Sequence, residues 1–201
     1  MLALLVAAVV VTIAAQGAGW AYVLTPALQG GCVVVALGGR AGDWPVRVLV
    51  LAVVACSVAG ALFVSGKLQH GLLALLQAAI LAGLPVIIAV RLRRNLYVSF
   101  QTVLGAVSIY LVIGMVFSAL DSGLSSLAGH DFFAGTAQPT QSDFTYFSFV
   151  TLTTVGYGDL VPAGGAARAA AVTEALLGQL YLVTIVALLV GNVGRARREA
   201  A

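Results

Sequence analysis

Long apolar segments, separated by short polar or basic ones, account for most of this chain of 201 residues. A helix needs about 20 residues to cross the hydrocarbon core of a bilayer. Four segments fit that length: Val46–Ser65, Leu72–Val90, Val98–Leu120 and Ala167–Val193. The residues before Arg40 predict two more helices, Leu2–Ala15 and Ala18–Gly38, with a single long helix as the alternative. The pattern predicts an all-α membrane protein with about six transmembrane helices.

The stretch between the last two apolar segments has a different pattern. Residues 121–141 are rich in Gly, Ser, Pro and Thr, and they predict an external loop. A short helix is predicted at 143–153, with Ser142 and Asp143 able to cap its N-terminus. This helix is too short to cross a bilayer, so we expect it to dip halfway in and return as an irregular segment, 154–158. Irregular backbone at that depth is tolerated only where it is buried in protein or lines water.

Composition and charge place these elements in a membrane and orient them. The chain is 61% hydrophobic and 8% charged, whereas a soluble domain carries roughly 25% charged residues. Eight of the ten lysines and arginines lie in three short clusters, at 40–47, 91–94 and 195–198. Such clusters mark cytoplasmic sides, so residues 121–141 are predicted to be external and the C-terminus cytoplasmic. No basic face for nucleic acid is present.

The segment Thr153–Asp159 has the sequence Thr-Thr-Val-Gly-Tyr-Gly-Asp. A potassium ion in a narrow pore loses its hydration shell, and a four-fold ring of such loops replaces the water with backbone carbonyls. Consecutive carbonyls face one axis when ordinary and left-handed backbone conformations alternate. Gly156 and Gly158 adopt the left-handed conformation without steric strain. Thr154 is expected to add its hydroxyl at the inner end.

Residues Val98–Val193 resemble the pore domain of tetrameric potassium channels, which has an outer helix, a re-entrant pore helix, a filter and an inner helix. The segments Tyr146–Asp159 and Glu174–Tyr181 are similar to the pore and inner-helix sequences of small bacterial ion channels. The resemblance implies a homotetramer, since one chain supplies one filter. It also implies that potassium is bound by the filter residues Thr154, Val155, Gly156, Tyr157 and Gly158, with the carbonyls of the first four forming the stacked ion sites.

The resemblance implies a supporting role for several residues around the filter. Thr153 and Asp159 flank it, and Tyr146 and Phe147 occupy the positions of an aromatic cuff. Val150 stands where some two-helix bacterial channels have a carboxylic acid bonded to the filter aspartate. We therefore expect Asp159 to lack that partner.

Three residues of the inner helix admit two interpretations each. Gly178 is either a hinge or a site of close helix packing, because glycine inside a helix costs about 1 kcal/mol relative to alanine. Gln179 either faces a central cavity or bonds a neighbouring helix. Glu174 is a carboxyl group in an apolar helix. It is expected to bond a pore-helix hydroxyl such as Thr151, either as a pH-sensitive group or as a purely structural one.

The first half does not predict a voltage sensor. Such a sensor needs arginines repeated along a transmembrane helix, and Leu72–Val90 has no Arg or Lys. The expected domains are an N-terminal helical region at 1–96 and a pore domain at 97–201. The pore domain contains an outer helix at 98–120, a loop at 121–141, a pore helix at 143–153, a filter at 154–158 and an inner helix at 167–193.

The sequence favours a potassium-selective channel in the cell membrane, with the lipid bilayer and three further copies as partners. No catalytic triad, nucleotide motif or metal cluster is present, so we expect neither an enzyme nor a cofactor, and potassium ions are the expected ligand. The alternatives are a non-conducting subunit that keeps the channel fold and a subunit of a potassium transporter. Transporter subunits of that kind usually carry four degenerate filters in one chain.

Overall fold

The computed structural model describes residues 2–14, 28, 31, 55, 71–79, 81–83, 85, 100–128, 131–136 and 138–199. These residues form four main helices: α1 (Leu2–Ala14), α2 (Phe100–Leu127), α3 (Gln141–Leu152) and α4 (Gly165–Glu199). Residues 71–79 and 81–83 are also helical. The helices predicted at Ala18–Gly38 and Val46–Ser65 lie almost entirely outside the described residues.

Two of the described helices are long and apolar enough to cross a membrane, Thr102–Leu127 within α2 and Gly165–Leu188 within α4. Helix α1 has 13 residues and so extends about 20 Å, two thirds of the roughly 30 Å of a bilayer core. The described part is helical apart from the segments before and after α3, which contain isolated β-bridges and no strand. The all-α prediction is therefore confirmed for the described residues, which include two of the six predicted spans as helices long enough to cross a membrane.

The outer helix is longer than its predicted range of 98–120. Helix α2 continues to Leu127, although its last seven residues were predicted to begin the external loop. The reason is tertiary packing. A Cβ atom added to Gly123 would come within 2.8 Å of Leu75, and one added to Gly71 would come within 2.8 Å of Ser126. The two glycines thus let a second helix lie close to this end of α2 and keep it helical.

The other two helices also begin earlier than predicted. Helix α3 starts at Gln141, and its N-cap is Thr140 rather than Ser142 or Asp143. The Thr140 side chain accepts from the Asp143 backbone, and the Asp143 carboxylate accepts from the Thr140 backbone at 2.7 Å. This reciprocal pair is a capping box. Helix α4 starts at Gly165 rather than residue 167 and extends beyond residue 193.

The N-terminal helices share a core with α2. Leu5 and Ala8 of α1, Leu81, and Val112 and Met115 of α2 form one buried cluster. The two regions expected at 1–96 and 97–201 are thus packed together where the structure describes them, and α1 contacts both α2 and α3. This packing fixes the position of α3, which precedes the predicted filter.

Candidate functional site

The start of α3 is held by hydrogen bonds to two neighbouring helices. The Ser142 hydroxyl donates to the Ile13 carbonyl near the end of α1 at 2.9 Å. The Gln141 amide donates to the Ser118 hydroxyl of α2 at 3.0 Å. That hydroxyl lies 2.9 Å from the Thr145 hydroxyl, which donates to the Gln141 carbonyl at 2.9 Å. The cycle of Gln141, Ser118 and Thr145 is complete without a charged group.

The chain leaves α3 in a backbone conformation that alternates from residue to residue. Thr154, Gly156 and Gly158 have φ values of 60°, 54° and 81°, whereas Val155 and Tyr157 do not have positive φ. The two glycines have the left-handed conformation expected of them. Thr154 was not predicted to share it. A β-branched residue there is strained by about 1–3 kcal/mol, and such strain persists only where the surrounding structure imposes it.

The amide groups that follow α3 point back towards its last turn. The N–H of Thr154 donates to the Thr151 carbonyl at 2.9 Å, and the next two N–H groups share the Val150 carbonyl at 3.0 and 3.3 Å. Among the residues that the structure describes, no N–H group donates to the carbonyl oxygens of residues 154–157. Residues 154–157 are also exposed in a single chain. Their carbonyls are therefore free to coordinate a cation.

Asp159 has a hydrogen-bonding partner in the helix before it. The Tyr146 hydroxyl donates to Asp159 Oδ2 at 2.8 Å, so Asp159 has a partner other than the carboxylic acid that Val150 replaces. Tyr146 lies one helical turn before Val150 and supplies the hydroxyl from the same side of α3. Its ring also stacks on Tyr157, with centroids 6.4 Å apart and planes 3° from parallel. The bond to Asp159 raises the pKa of Tyr146 above its ordinary value.

The residues that follow the predicted filter pair with the loop that precedes α3. The Ala134 N–H donates to the Val161 carbonyl at 2.9 Å, and the Ala163 N–H donates to the Phe132 carbonyl at 2.7 Å. Beneath these bonds lies a buried aromatic cluster of Phe132, Phe133, Phe144 and Phe147. Phe147, predicted to belong to an aromatic cuff with Tyr146, thus packs under the external loop, while Tyr146 contacts the filter segment.

Gly178 of α4 lies directly against the last residue of α3. A Cβ atom at Gly178 would come within 2.7 Å of Leu152 Cδ1 and 2.8 Å of the Leu152 carbonyl oxygen. That same carbonyl accepts a hydrogen bond from Tyr110 of α2 at 2.9 Å, and Tyr110 stacks on Tyr181 of α4 at 5.9 Å. This geometry favours close packing as the reason for the glycine, and α4 is helical through it. Gln179 is exposed in the single chain, and its place in a central cavity stays a prediction.

Glu174 is completely buried and contacts α3 through a serine. Its Oε1 is hydrogen-bonded to the Ser148 hydroxyl, so the partner is Ser148 and not Thr151. Ser148 Oγ also bonds the Gly114 carbonyl of α2 at 2.6 Å. Asp121, predicted to lie in the external loop, is instead a buried residue of α2 whose carboxylate oxygens have no partner among the described residues.

Residues 105–194, which contain α3, the alternating segment and most of the two long helices, match the family model described as "Ion channel". This region of the chain is therefore similar to that ion-channel family. The finding agrees with the expectation that the protein is not an enzyme, and the two long apolar helices agree with a location in a membrane. No curated protein and no solved structure matches the chain. Within this region, α2, α3 and α4 lie where the outer helix, the pore helix and the inner helix were predicted, and these names are used for them below.

Two features of the channel region were not predicted, although a pattern in the sequence indicates each of them. Threonine followed three residues later by an acid indicates a capping box, which Thr140 and Asp143 form. Positions 141, 145 and 148 carry Gln, Thr and Ser at helical spacing, and this spacing predicts one polar side of the pore helix. Only the structure shows which side chains of the outer and inner helices meet that side.

Proposed function

We propose that this protein is a potassium-selective channel and that four copies form the pore around one axis. The observation that carries the proposal is the backbone of residues 154–158. Positive φ at every second residue turns successive carbonyls to one side, and no described N–H group occupies the carbonyl oxygens of residues 154–157. A ring of four such loops offers an ion the oxygens that replace its water shell.

Selectivity for potassium is supported by the complete Thr-Val-Gly-Tyr-Gly sequence and by the groups that hold it. Tyr157 is braced by the Tyr146 ring, and Asp159 by the Tyr146 hydroxyl. Thr154, Val155 and Gly156 are anchored through their N–H groups on the last turn of the pore helix. The filter is thus supported at both ends, as ion coordination at fixed spacing requires.

A tetramer is supported by the apolar surface that a single chain leaves uncovered. Only 11% of the inner helix's most apolar stretch is buried within the chain, compared with 50% for the outer helix. The exposed side chains of the inner helix include Val172, Leu176, Leu180, Val183 and Val186. Tyr157 is 71% exposed and Val155 is 52% exposed. Neighbouring copies would cover both the inner helix and the filter.

The proposed location is the cell membrane, with several passes, the filter towards the exterior and the C-terminus in the cytoplasm. The positions of the basic clusters support this orientation. The packing of Gly71 against the end of α2 supports this orientation too. Lys67 and Arg91 are predicted to flank the helix that contains Gly71, on the external and cytoplasmic sides respectively.

Liposomes that contain only the purified protein test the proposal. We expect potassium flux that exceeds sodium flux and that barium blocks, together with a mass of four chains in detergent or nanodiscs. Folded tetramers with no barium-sensitive flux would contradict the channel proposal and favour a non-conducting subunit.

A matched pair of glycine variants links the flux to the filter. Gly156 and Gly135 both have positive φ and open space around the position of a Cβ atom, so alanine strains the backbone by a similar amount, roughly 1–2 kcal/mol. Gly156→Ala is expected to abolish the preference for potassium, whereas Gly135→Ala in the external loop is expected to keep it. Equal selectivity in the two variants would place the ion path elsewhere.

A further inference from the structure

Behind the filter, three helices meet at one buried hydrogen-bonded relay. Ser148 of the pore helix lies between Glu174 of the inner helix and the Gly114 carbonyl of the outer helix. Ser148 and Glu174 are both completely buried. A Cβ atom at Gly114 would come within 2.9 Å of the Phe149 ring, so the glycine is needed for the outer helix to approach this closely.

The donors that the relay needs indicate whether Glu174 is ionised. A serine hydroxyl has one proton to donate, and a backbone carbonyl can only accept. If the hydroxyl donates to Gly114, the contact between Ser148 and Glu174 is a hydrogen bond only when the carboxyl group carries a proton. If Glu174 were ionised, the single serine proton would face two acceptors and one contact would join two lone pairs. The neutral carboxyl satisfies both contacts.

The surroundings of Glu174 also favour the neutral form. Its Oε2 has no hydrogen-bonding partner among the described residues, and burying an ionised, unpaired carboxylate is far more unfavourable than burying a neutral one. Arg168, the one basic residue whose side chain the structure describes, bonds the Pro162 carbonyl. The titratable groups near Glu174 are Tyr110 and Asp121 of the outer helix, and neither is a cation. The pore helix presents Ser148, which does not titrate.

We propose that Glu174 is a positioning residue of the filter: in its protonated form it donates to Ser148, which donates to Gly114, and this relay holds the inner, pore and outer helices together behind the filter. The relay bonds the pore helix two residues before Val150, whose carbonyl anchors the N–H groups of Val155 and Gly156. Loss of the proton breaks one of the two bonds and leaves a charge among apolar side chains. The channel is therefore expected to lose support for its filter at alkaline pH.

Infrared difference spectroscopy of the reconstituted protein tests the protonation state without relying on conduction. The spectrum of wild type minus Glu174→Gln at neutral pH should contain the carbonyl band of a protonated carboxylic acid. Asp121→Asn is the matched control, since it removes the other buried carboxyl group and should leave the Glu174 band in place. Ser148→Ala should shift that band to the frequency of a more weakly bonded acid. Carboxylate bands in the first spectrum, or an unshifted band in Ser148→Ala, would overturn the proposal.

The effect on conduction rests on the proposed function and is measured separately, as potassium flux into liposomes. Glutamine keeps an N–H donor for Ser148, so Glu174→Gln should conduct within a few-fold of wild type. Glu174→Ala removes the donor and should lower flux about tenfold, the size expected for one lost buried hydrogen bond. At the pH that converts the infrared band to carboxylate, flux should fall in wild type and not in Glu174→Gln.

Two results would contradict the positioning role. One is an alkaline loss in Glu174→Gln equal to that of wild type, and the other is equal flux from the alanine and glutamine variants. If no variant conducts while the infrared results are as expected, the proposed function fails and the relay stands.

Discussion

The substitution Gly178→Ala measures how strongly the inner helix depends on close contact with the pore helix. The new methyl group would lie 2.7 Å from Leu152 Cδ1 and 2.8 Å from the Leu152 carbonyl oxygen. The Leu152 side chain can move away from the new methyl group only if the residues around it also shift. The carbonyl belongs to the last residue of the pore helix, and it is also held by Tyr110. The clash is therefore relieved only by moving the two helices apart.

The magnitude follows from two opposing effects. Overpacking of a well-packed interior costs about 1–3 kcal/mol, and contact with backbone favours the upper half of that range. Replacing glycine with alanine inside a helix stabilises it by about 1 kcal/mol. The net destabilisation is about 1–2 kcal/mol, or a fall of several degrees in the unfolding midpoint, since 1 kcal/mol corresponds to about 2–4 °C for a chain of this length.

Thermal unfolding in nanodiscs, followed by circular dichroism, measures this change. Gly165→Ala is the matched control, because Gly165 lies in the same helix and has open space around the position of a Cβ atom. The control should unfold at the wild-type temperature or slightly above it. If Gly178→Ala is as stable as Gly165→Ala, the close contact with Leu152 does not limit stability. A hinge would then be the better account of Gly178, provided that the alanine variant also conducts less.

Three further predictions concern the pore helix and the outer end of the filter. Tyr146→Phe keeps the ring stack and removes the donor to Asp159. The initial potassium flux of the variant should persist, while its sustained flux should decay faster than that of wild type. Identical decay in variant and wild type would mean that the bond does not support the filter. Thr140→Ala removes the capping box and should destabilise the protein by about 1 kcal/mol, as measured by thermal unfolding; an unchanged midpoint would show that tertiary contacts alone hold the start of the pore helix. Val161, just outside the filter, offers no aromatic ring for a cation–π contact, so block by external tetraethylammonium should be weak and should strengthen in Val161→Tyr; micromolar block of the wild type would contradict this.

The helices of the channel region were predictable because their patterns are local. Apolar length gave both long spans, and the Thr-Val-Gly-Tyr-Gly sequence placed left-handed backbone at Gly156 and Gly158. The boundaries were less predictable. Residues 121–127 have the composition of a loop, yet they are helical because Gly123 packs against Leu75. That contact joins positions almost fifty residues apart, which no local pattern reports.

The positions of the polar side chains depended on the tertiary structure even more. Asp121 and Asp159 are both acids near a predicted external mouth. One is buried in the outer helix and the other accepts a bond from Tyr146. The sequence indicated that Glu174 would seek a pore-helix hydroxyl, but Thr151 and Ser148 lie less than one turn apart. The packing of the inner helix against the pore helix brings Ser148 to Glu174.

The sequence by itself determined the chemistry of the proposed conduction path. Backbone carbonyls coordinate the ion in the proposed pore, and Gly156 and Gly158 help to set their direction through local steric limits on φ and ψ. The positive φ of Thr154 is instead imposed by its surroundings. Only the tertiary structure decided what supports that path. The Tyr146 hydroxyl on Asp159, the Leu152 carbonyl beneath Gly178 and the relay through Ser148 each join separate helices. Such contacts form only after the helices have packed, because hydrogen bonds and steric contacts act over a few ångströms in space and not along the chain.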